Sequence, residues 1–115
     1  MQDLALQAAG VLAILVAMAH GIIAERRVFP AAHIEPRWAL RLLRMVWQAS
    51  TVDWIVVGVL LIAAPGLGSP ARQWVVGAAV VVYGFAAIGN AAATRGRHIG
   101  WVLMTAVVAL SLVGL

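Results

Sequence analysis

Residues 4–24 read LALQAAGVLAILVAMAHGIIA, and this stretch decides the class of protein. It runs for 21 residues without Asp, Glu, Lys or Arg. About 20 mostly apolar residues are enough for a helix to cross the hydrocarbon core of a membrane. Three further stretches meet this requirement, at 45–64, 73–93 and 99–115. The predicted fold is therefore an all-α integral membrane protein, a single domain over 1–115 with four antiparallel transmembrane helices in a small bundle.

The composition supports this class and argues against others. Apolar residues make up 64% of the chain and charged residues only 10%, too few to cover a soluble core of this size. All eight basic residues are arginines, and they flank the apolar runs, so we expect a topology signal and no nucleic-acid partner. No nucleophile with a base and no phosphate-binding glycine loop is visible, so we expect no enzyme activity. The Arg, Ala, Val and Leu bias indicates a bacterial protein.

The distribution of arginines predicts the orientation in the membrane. Seven lie in the two connections after the first and third spans, at 26, 27, 37, 41, 44, 95 and 97, and one lies between the second and third spans, at 72. Cytoplasmic loops carry the excess of basic residues. We therefore expect a multi-pass protein of the bacterial cytoplasmic (inner) membrane with both termini outside the cytoplasm.

Small residues recur along two of the spans and predict close helix packing. Such stripes allow helix backbones to approach one another in lipid, where the hydrophobic effect does not drive association. Ser50 and Ala49 make one side of the second span narrow as well. The predicted packing residues are Ala9, Ala13, Ala17 and Gly21 on the first span, Ser50 on the second, and Gly77 and Gly84 on the third. The lipid bilayer is one expected partner, and a homo-oligomer or a larger membrane complex is the other.

A polar stripe leads into the second span from the cytoplasmic side. Pro36 suits the first turn of a helix, so we expect the second helix to extend back to residue 37. Four polar residues then share one face, Arg37, Arg41, Arg44 and Gln48. They are predicted to contact anionic lipid headgroups or, alternatively, to guide an anion toward the membrane.

Asp53 is the strongest candidate for a functional residue. It lies nine residues after Arg44, which places it roughly 13 to 14 Å deep, near the middle of the membrane. A carboxylate there costs at least about 2.5 to 3.5 kcal/mol unless it is protonated or has a partner. Arg44 and Gln48 point away from Asp53 on the same helix, so its partner is expected on another span or another subunit.

Three polar residues on other spans reach a similar depth, His20, Asn90 and Tyr83. With Asp53 they form the predicted proton or substrate site, since His and Asp can exchange protons through amide and hydroxyl groups. The alternative is a polar clamp, in which Asp53 is hydrogen-bonded and holds the bundle in one register.

These residues leave three functional hypotheses. The first is an oligomeric transporter or channel module with Asp53 as its protonatable site, and the second is a non-catalytic accessory subunit of a larger, energy-transducing membrane complex. The third is an electron-transfer protein that binds quinone or a haem, with His20 and His98 as weak candidates for haem or metal ligands; otherwise we expect no cofactor.

The size and the four-span layout are similar to those of the small multidrug-resistance transporters. That family carries its acidic residue in the first span, whereas LALQAAGVLAILVAMAHG contains none and the acid here lies in the second span. The likeness is therefore one of architecture, which does not carry function.

Overall fold

The computed structural model describes all 115 residues and contains only helices. Helix α1, Gln2–Ile23, continues through a π-helical turn, Ala24–Val28, and a last helical turn, Phe29–Ala31. Helix α2 is Arg37–Ala63 and ends in a 3-10 turn, Ala64–Gly66. Helix α3 is Ser69–Thr94, and helix α4 is Gly100–Val113. The expectation of an all-helical chain is confirmed.

Three of the helices are long and apolar enough to cross a membrane, which supports the membrane class. Counted with their adjoining turns they cover Gln2–Ala31, Arg37–Gly66 and Ser69–Thr94. The fourth helix has 14 residues, about 21 Å at 1.5 Å per residue, less than the roughly 30 Å of a hydrocarbon core. The chain thus has three membrane-length helices and one shorter apolar helix, where the sequence predicted four complete spans.

Prolines and a left-handed residue set the helix ends. Pro36 is in an extended conformation directly before α2, and Pro70 lies in the first turn of α3, where its missing N–H costs no hydrogen bond. Helix α3 ends where Arg95 takes a left-handed conformation with φ of 53° and Gly96 follows at 71°. The Gly96 N–H then bonds the Ala91 carbonyl oxygen at 2.8 Å, so the backbone turns sharply toward α4.

Helix α1 lies at the centre of the packing. Its most extensive contact is with α2, and it also packs on α4, which in turn packs on α3. Ala9, Ala13 and Ala17 are completely buried on α1, among larger buried side chains such as Leu61 and Val107. Small side chains on α1 therefore let two neighbouring helices come close to its backbone.

Helices α1 and α2 approach each other closely where Gly10 of α1 faces Gly58 of α2. A Cβ atom on Gly58 would lie 2.7 Å from Cγ1 of Ile14 and 2.9 Å from the carbonyl oxygen of Gly10. A Cβ atom on Gly10 would lie 2.6 Å from Cγ1 of Ile62. Neither position has room for a side chain, so both glycines are needed for this helix distance.

Arg72, in the first turn of α3, joins three segments at one end of the bundle. Its Nη1 donates to Asp3 Oδ1 at 2.8 Å, near the start of α1. Its Nε and Nη2 both donate to the carbonyl oxygen of Gly114, after the end of α4, at 3.1 and 2.6 Å. One side chain therefore binds the beginning of α1 and the end of α4.

Candidate functional site

Asp53 lies on the outer surface of α2. Its side chain is exposed, and it makes no hydrogen bond or ion pair within the chain. Val52 and Val56, on the same surface, expose 58% and 51% of their area. The contact that the sequence led us to expect, with His20, Asn90 and Tyr83 around the carboxylate, is not formed inside one chain. The sequence also allowed a partner for Asp53 in another subunit, and this alternative remains a prediction.

His20 is held between two tryptophans of α2. Its ring stacks on Trp47 with centroids 4.7 Å apart and planes 11° apart, and its other face contacts Trp54 at a tilt of 30° with centroids 4.5 Å apart. Its Nε2 lies 3.2 Å from Ser50 Oγ. Because the Ser50 hydroxyl donates to the Trp47 carbonyl oxygen at 2.6 Å, Oγ is the acceptor and Nε2 carries the proton. His20 thus bonds to the helix that carries Asp53, one turn before it.

Tyr83 of α3 continues this row of rings. Its ring centroid is 5.4 Å from that of Trp54, and its hydroxyl donates to the carbonyl oxygens of Trp54 and Ala13 at 3.1 and 3.3 Å. The buried hydroxyl therefore ties three helices together. We call these four rings in contact the aromatic column, which consists of Trp47, His20, Trp54 and Tyr83.

The aromatic column was not predicted from the sequence, although the sequence contains signals for its individual residues. The sequence shows Trp47 and Trp54 seven residues apart, which places them on one stripe of α2. The sequence also shows His20 at a similar depth on another span, and this was the second signal for the aromatic column. Stacked rings with centroids 4.5 to 7 Å apart stabilise a structure by about 0.5 to 1.5 kcal/mol per pair. His20 and Tyr83 therefore hold the bundle together in this structure.

Asn90 lies at the junction of α3 and α4. Its Oδ1 is buried without a hydrogen bond, and its carbonyl oxygen accepts a bond from Thr94 Oγ1 at 2.7 Å. A Cβ atom on Gly100 would be 3.3 Å from Asn90 Nδ2, which shows that the amide faces the start of α4. Asn90 therefore belongs to this junction within the chain.

Half of the predicted arginine stripe is engaged inside the chain. Arg44 pairs with Glu25 at the end of α1 and donates to its carboxylate through Nε, at 3.0 Å, and through Nη2. Gln48 Nε2 donates to Glu25 Oε1 at 2.8 Å and to the Gly21 carbonyl oxygen at 3.3 Å. Arg37 and Arg41 are exposed and have no such partner. Contact with lipid headgroups stays a prediction for these two.

The hydrogen bonds to Glu25 also stabilise the charged form of its carboxyl group. The hydrogen bond from Arg44, and to a smaller extent that from Gln48, holds the pKa of the Glu25 carboxyl below its ordinary value of 4.5. The same pair raises the pKa of the Arg44 guanidinium above its ordinary value. Arg26 and Arg27 directly follow Glu25 in the sequence. The structure pairs Glu25 with an arginine 19 residues away instead.

The small residues named as packing positions divide into two groups. Gly21 faces α2 closely, since a Cβ atom there would be 3.0 Å from Gln48 Oε1 and from Thr51 Cγ2. Gly77 and Gly84 on α3 have no atom within 4 Å of a Cβ position. The stripe on α1 packs inside the chain, whereas that on α3 faces outward.

The two histidines named as metal or haem candidates lie in different surroundings. Both ring faces of His20 are covered by indoles, and Nδ1 of His98 accepts the Gly100 N–H at 3.0 Å. No group of three or more His, Asp or Glu side chains converges on a metal-sized site. In this structure, none of the contacts of His20 and His98 supports the haem hypothesis.

No family model matches the chain, and comparisons with curated proteins and with solved structures find no similar protein. The function has to be inferred from the residues and their geometry.

Proposed function

We propose that this chain is one subunit of a homo-oligomeric transporter or channel module, in which Asp53 is the protonatable site at the contact between copies. The observation that carries this proposal is the position of Asp53, exposed on an apolar surface of α2 and unpaired within the chain. Intramembrane carboxylates face a partner, a water-filled cavity or a proton pathway. An outward Asp53 finds such surroundings only when another subunit covers it.

The proposed site lies in a bacterial cytoplasmic membrane, with the helices antiparallel and both termini outside. The arginine distribution supports this orientation. Contacts at the two ends of the bundle are compatible with it, since Glu25 meets Arg44 at one end and Asp3 meets Arg72 at the other. The basic end, with seven of the eight arginines, would face the cytoplasm.

Proton flux into vesicles tests the proposal. Purified protein is reconstituted into liposomes with an entrapped pH-sensitive dye, and a potassium gradient with valinomycin sets the membrane potential. We expect flux above that of protein-free vesicles, abolished in Asp53→Asn and retained in Asp53→Glu. Val56→Asn is the matched control, because it adds the same amide one turn away on the same exposed surface.

Two results would contradict the proposal. Wild-type flux equal to that of protein-free vesicles would argue against a proton pathway. Equal flux in the wild type and Asp53→Asn would show that the carboxylate does not carry the proton.

A second candidate function is an accessory subunit of a larger membrane complex. The observation that favours it is that His20 and Tyr83 bond within the bundle, so the exposed carboxylate of Asp53 has no relay beside it. Asp53 would then bind a donor on a different protein and hold the complex together. In this case, Asp53→Asn leaves any flux unchanged and lowers the amount of the larger assembly recovered from native membranes.

A further inference from the structure

We propose that the groove between α1 and α2 binds one anionic phospholipid, whose phosphate contacts Arg26 and one of whose acyl chains lies along the apolar end of the groove. The groove is open at the surface and has a volume of about 510 Å³. This volume is within the range of ligand-binding sites in proteins, about 300 to 1,000 Å³. The site is separate from Asp53 and does not depend on the proposed function.

The residues along the groove change from apolar to polar. Met18, Ile22 and Arg26 follow one face of α1 at spacings of four, so the wall is apolar at one end and cationic at the other. Ile55, Thr51 and Gln48 form the facing wall on α2. From Met18 to Arg26 the groove extends roughly 12 Å along the helix axis. An amphipathic ligand with one charged end matches this order.

Gly21 forms the floor of the groove. It lies between the two walls, and a Cβ atom there would be 3.0 Å from atoms of Gln48 and Thr51. These two side chains therefore lie against the α1 backbone at this position, and the close helix contact closes the bottom of the groove. Ile22 exposes 48% and Met18 exposes 49% of their area, so the apolar end is open to an acyl chain.

The charge at the polar end selects an anion. The charge of the Glu25 carboxylate, which also lines the groove, is compensated by Arg44, and Gln48 donates a further hydrogen bond to it. Arg26 makes no ion pair in the chain, so it supplies the uncompensated charge of the groove. A guanidinium binds phosphate oxygens through two parallel hydrogen bonds. The polar end of the groove therefore favours an anionic group, and a phosphate fits both its charge and its two hydrogen bonds.

Two observations place this anion at a lipid surface. Arg26 lies just beyond the predicted span 4–24, at the level where headgroups of the basic, cytoplasmic side would lie. Both Glu25 and Arg26 belong to the π-helical turn Ala24–Val28, which changes the direction of side chains relative to a regular helix. Such turns occur frequently at functional sites. Arg26 thus takes the role that the sequence suggested for Arg44 and Gln48.

Native mass spectrometry of the full chain in detergent tests the proposal, with phosphatidylglycerol as the probe and phosphatidylcholine of the same acyl chains as the comparison. We expect one phosphatidylglycerol to bind in preference to phosphatidylcholine. Arg26→Gln should lower its affinity about fivefold, the effect of one basic residue near an anionic lipid surface. Arg27→Gln is the matched control, since it removes the same charge one residue away and Arg27 does not line the groove.

A second pair of variants tests the apolar end. Ile22→Gln should lower phosphatidylglycerol binding, whereas Ile23→Gln should not, although Ile23 has a comparable exposure of 41%. Arg26→Lys keeps the charge but loses the two parallel hydrogen bonds, so its affinity should lie between those of the wild type and Arg26→Gln. Circular dichroism shows that each variant is folded before its affinity is compared.

Several outcomes would overturn the proposal. Equal losses in Arg26→Gln and Arg27→Gln would indicate general surface charge. Competition by glycerol phosphate at the same concentration as the lipid would assign the site to a free phosphate. If Ile22→Gln converts an oligomer to a monomer and leaves lipid binding unchanged, a second copy occupies the groove instead.

Discussion

The imidazole of His20 is stacked on the indole of Trp47, with ring centroids 4.7 Å apart and planes 11° apart. The same imidazole contacts Trp54 on its other face, at 4.5 Å. The two indoles belong to α2 and the histidine to α1, so the stack joins the two helices that share the most extensive contact. The first prediction follows from this arrangement.

His20→Ala should lower the free energy of unfolding by about 2 to 4 kcal/mol. The substitution removes two ring contacts, each contributing about 0.5 to 1.5 kcal/mol, and one hydrogen bond of about 1 kcal/mol. His20→Phe keeps the ring contacts and loses only the bond to Ser50, so we expect a loss of about 1 kcal/mol. Unfolding in mixed micelles with increasing SDS measures both. Equal losses in the two variants would show that the stack contributes nothing.

Gly58→Ala should separate α1 from α2 and lower the free energy of unfolding by about 1 to 3 kcal/mol, as overpacking does in well-packed interiors. The new methyl group would come within 2.9 Å of the Gly10 carbonyl oxygen, which cannot move without the whole helix. Gly89→Ala is the control, because no atom lies within 4 Å of its Cβ position.

For Gly89→Ala, we expect no loss of stability and a gain of up to about 1 kcal/mol, from the higher helix propensity of alanine. The same SDS titration compares the two variants. A Gly58→Ala protein as stable as Gly89→Ala would contradict the close helix contact.

The contact between α1 and α2 should weaken at acidic pH. The carboxyl of Glu25 has a lower pKa in the folded protein than its ordinary value of 4.5 because Arg44 and Gln48 bond its charged form. A lowered pKa contributes stability that is fully present above 4.5 and is lost as the pH falls through the folded value. The thermal unfolding midpoint of the wild type should therefore decrease on acidification below 4.5.

Glu25→Gln provides the comparison for this pH dependence. Its midpoint should be lower than that of the wild type at neutral pH, and the two should converge as the pH falls. A constant difference between the two proteins at all pH values would mean that the carboxylate is not the group that titrates.

The helices could be predicted because the length of an apolar segment is a local property of the sequence. A run of 21 mostly apolar residues without Asp, Glu, Lys or Arg is visible in residues 4–24 without knowledge of any neighbour. The fourth helix was overestimated for a related reason, since hydropathy continues from Ile99 to Leu115 although the regular helix covers only Gly100–Val113. The predicted span depended on apolar character alone, and apolar residues continue beyond the residues that form regular helical hydrogen bonds.

The surroundings of Asp53 were not predictable from its own helix. Helical geometry gives the angle between Asp53 and Ser50, but it does not determine which face of α2 packs on α1. That choice depends on Gly58 meeting Gly10 and on the two indoles enclosing His20, and these are contacts between residues 27 or more positions apart. The pairing of Glu25 with Arg44 depends on the same helix contact.

The bonds of Arg72 to Asp3 and Gly114 have a consequence for biogenesis. The fourth helix is the shortest, and its last carbonyl oxygens have no partner within the helix. The Gly114 carbonyl oxygen finds its donors on Arg72, a residue synthesised 42 positions earlier. Because a chain emerges from its N-terminus onward, α1 and the start of α3 exist before α4 is complete. Arg72 and its partner Asp3 are therefore already translated when the end of the short helix emerges and Gly114 binds Arg72.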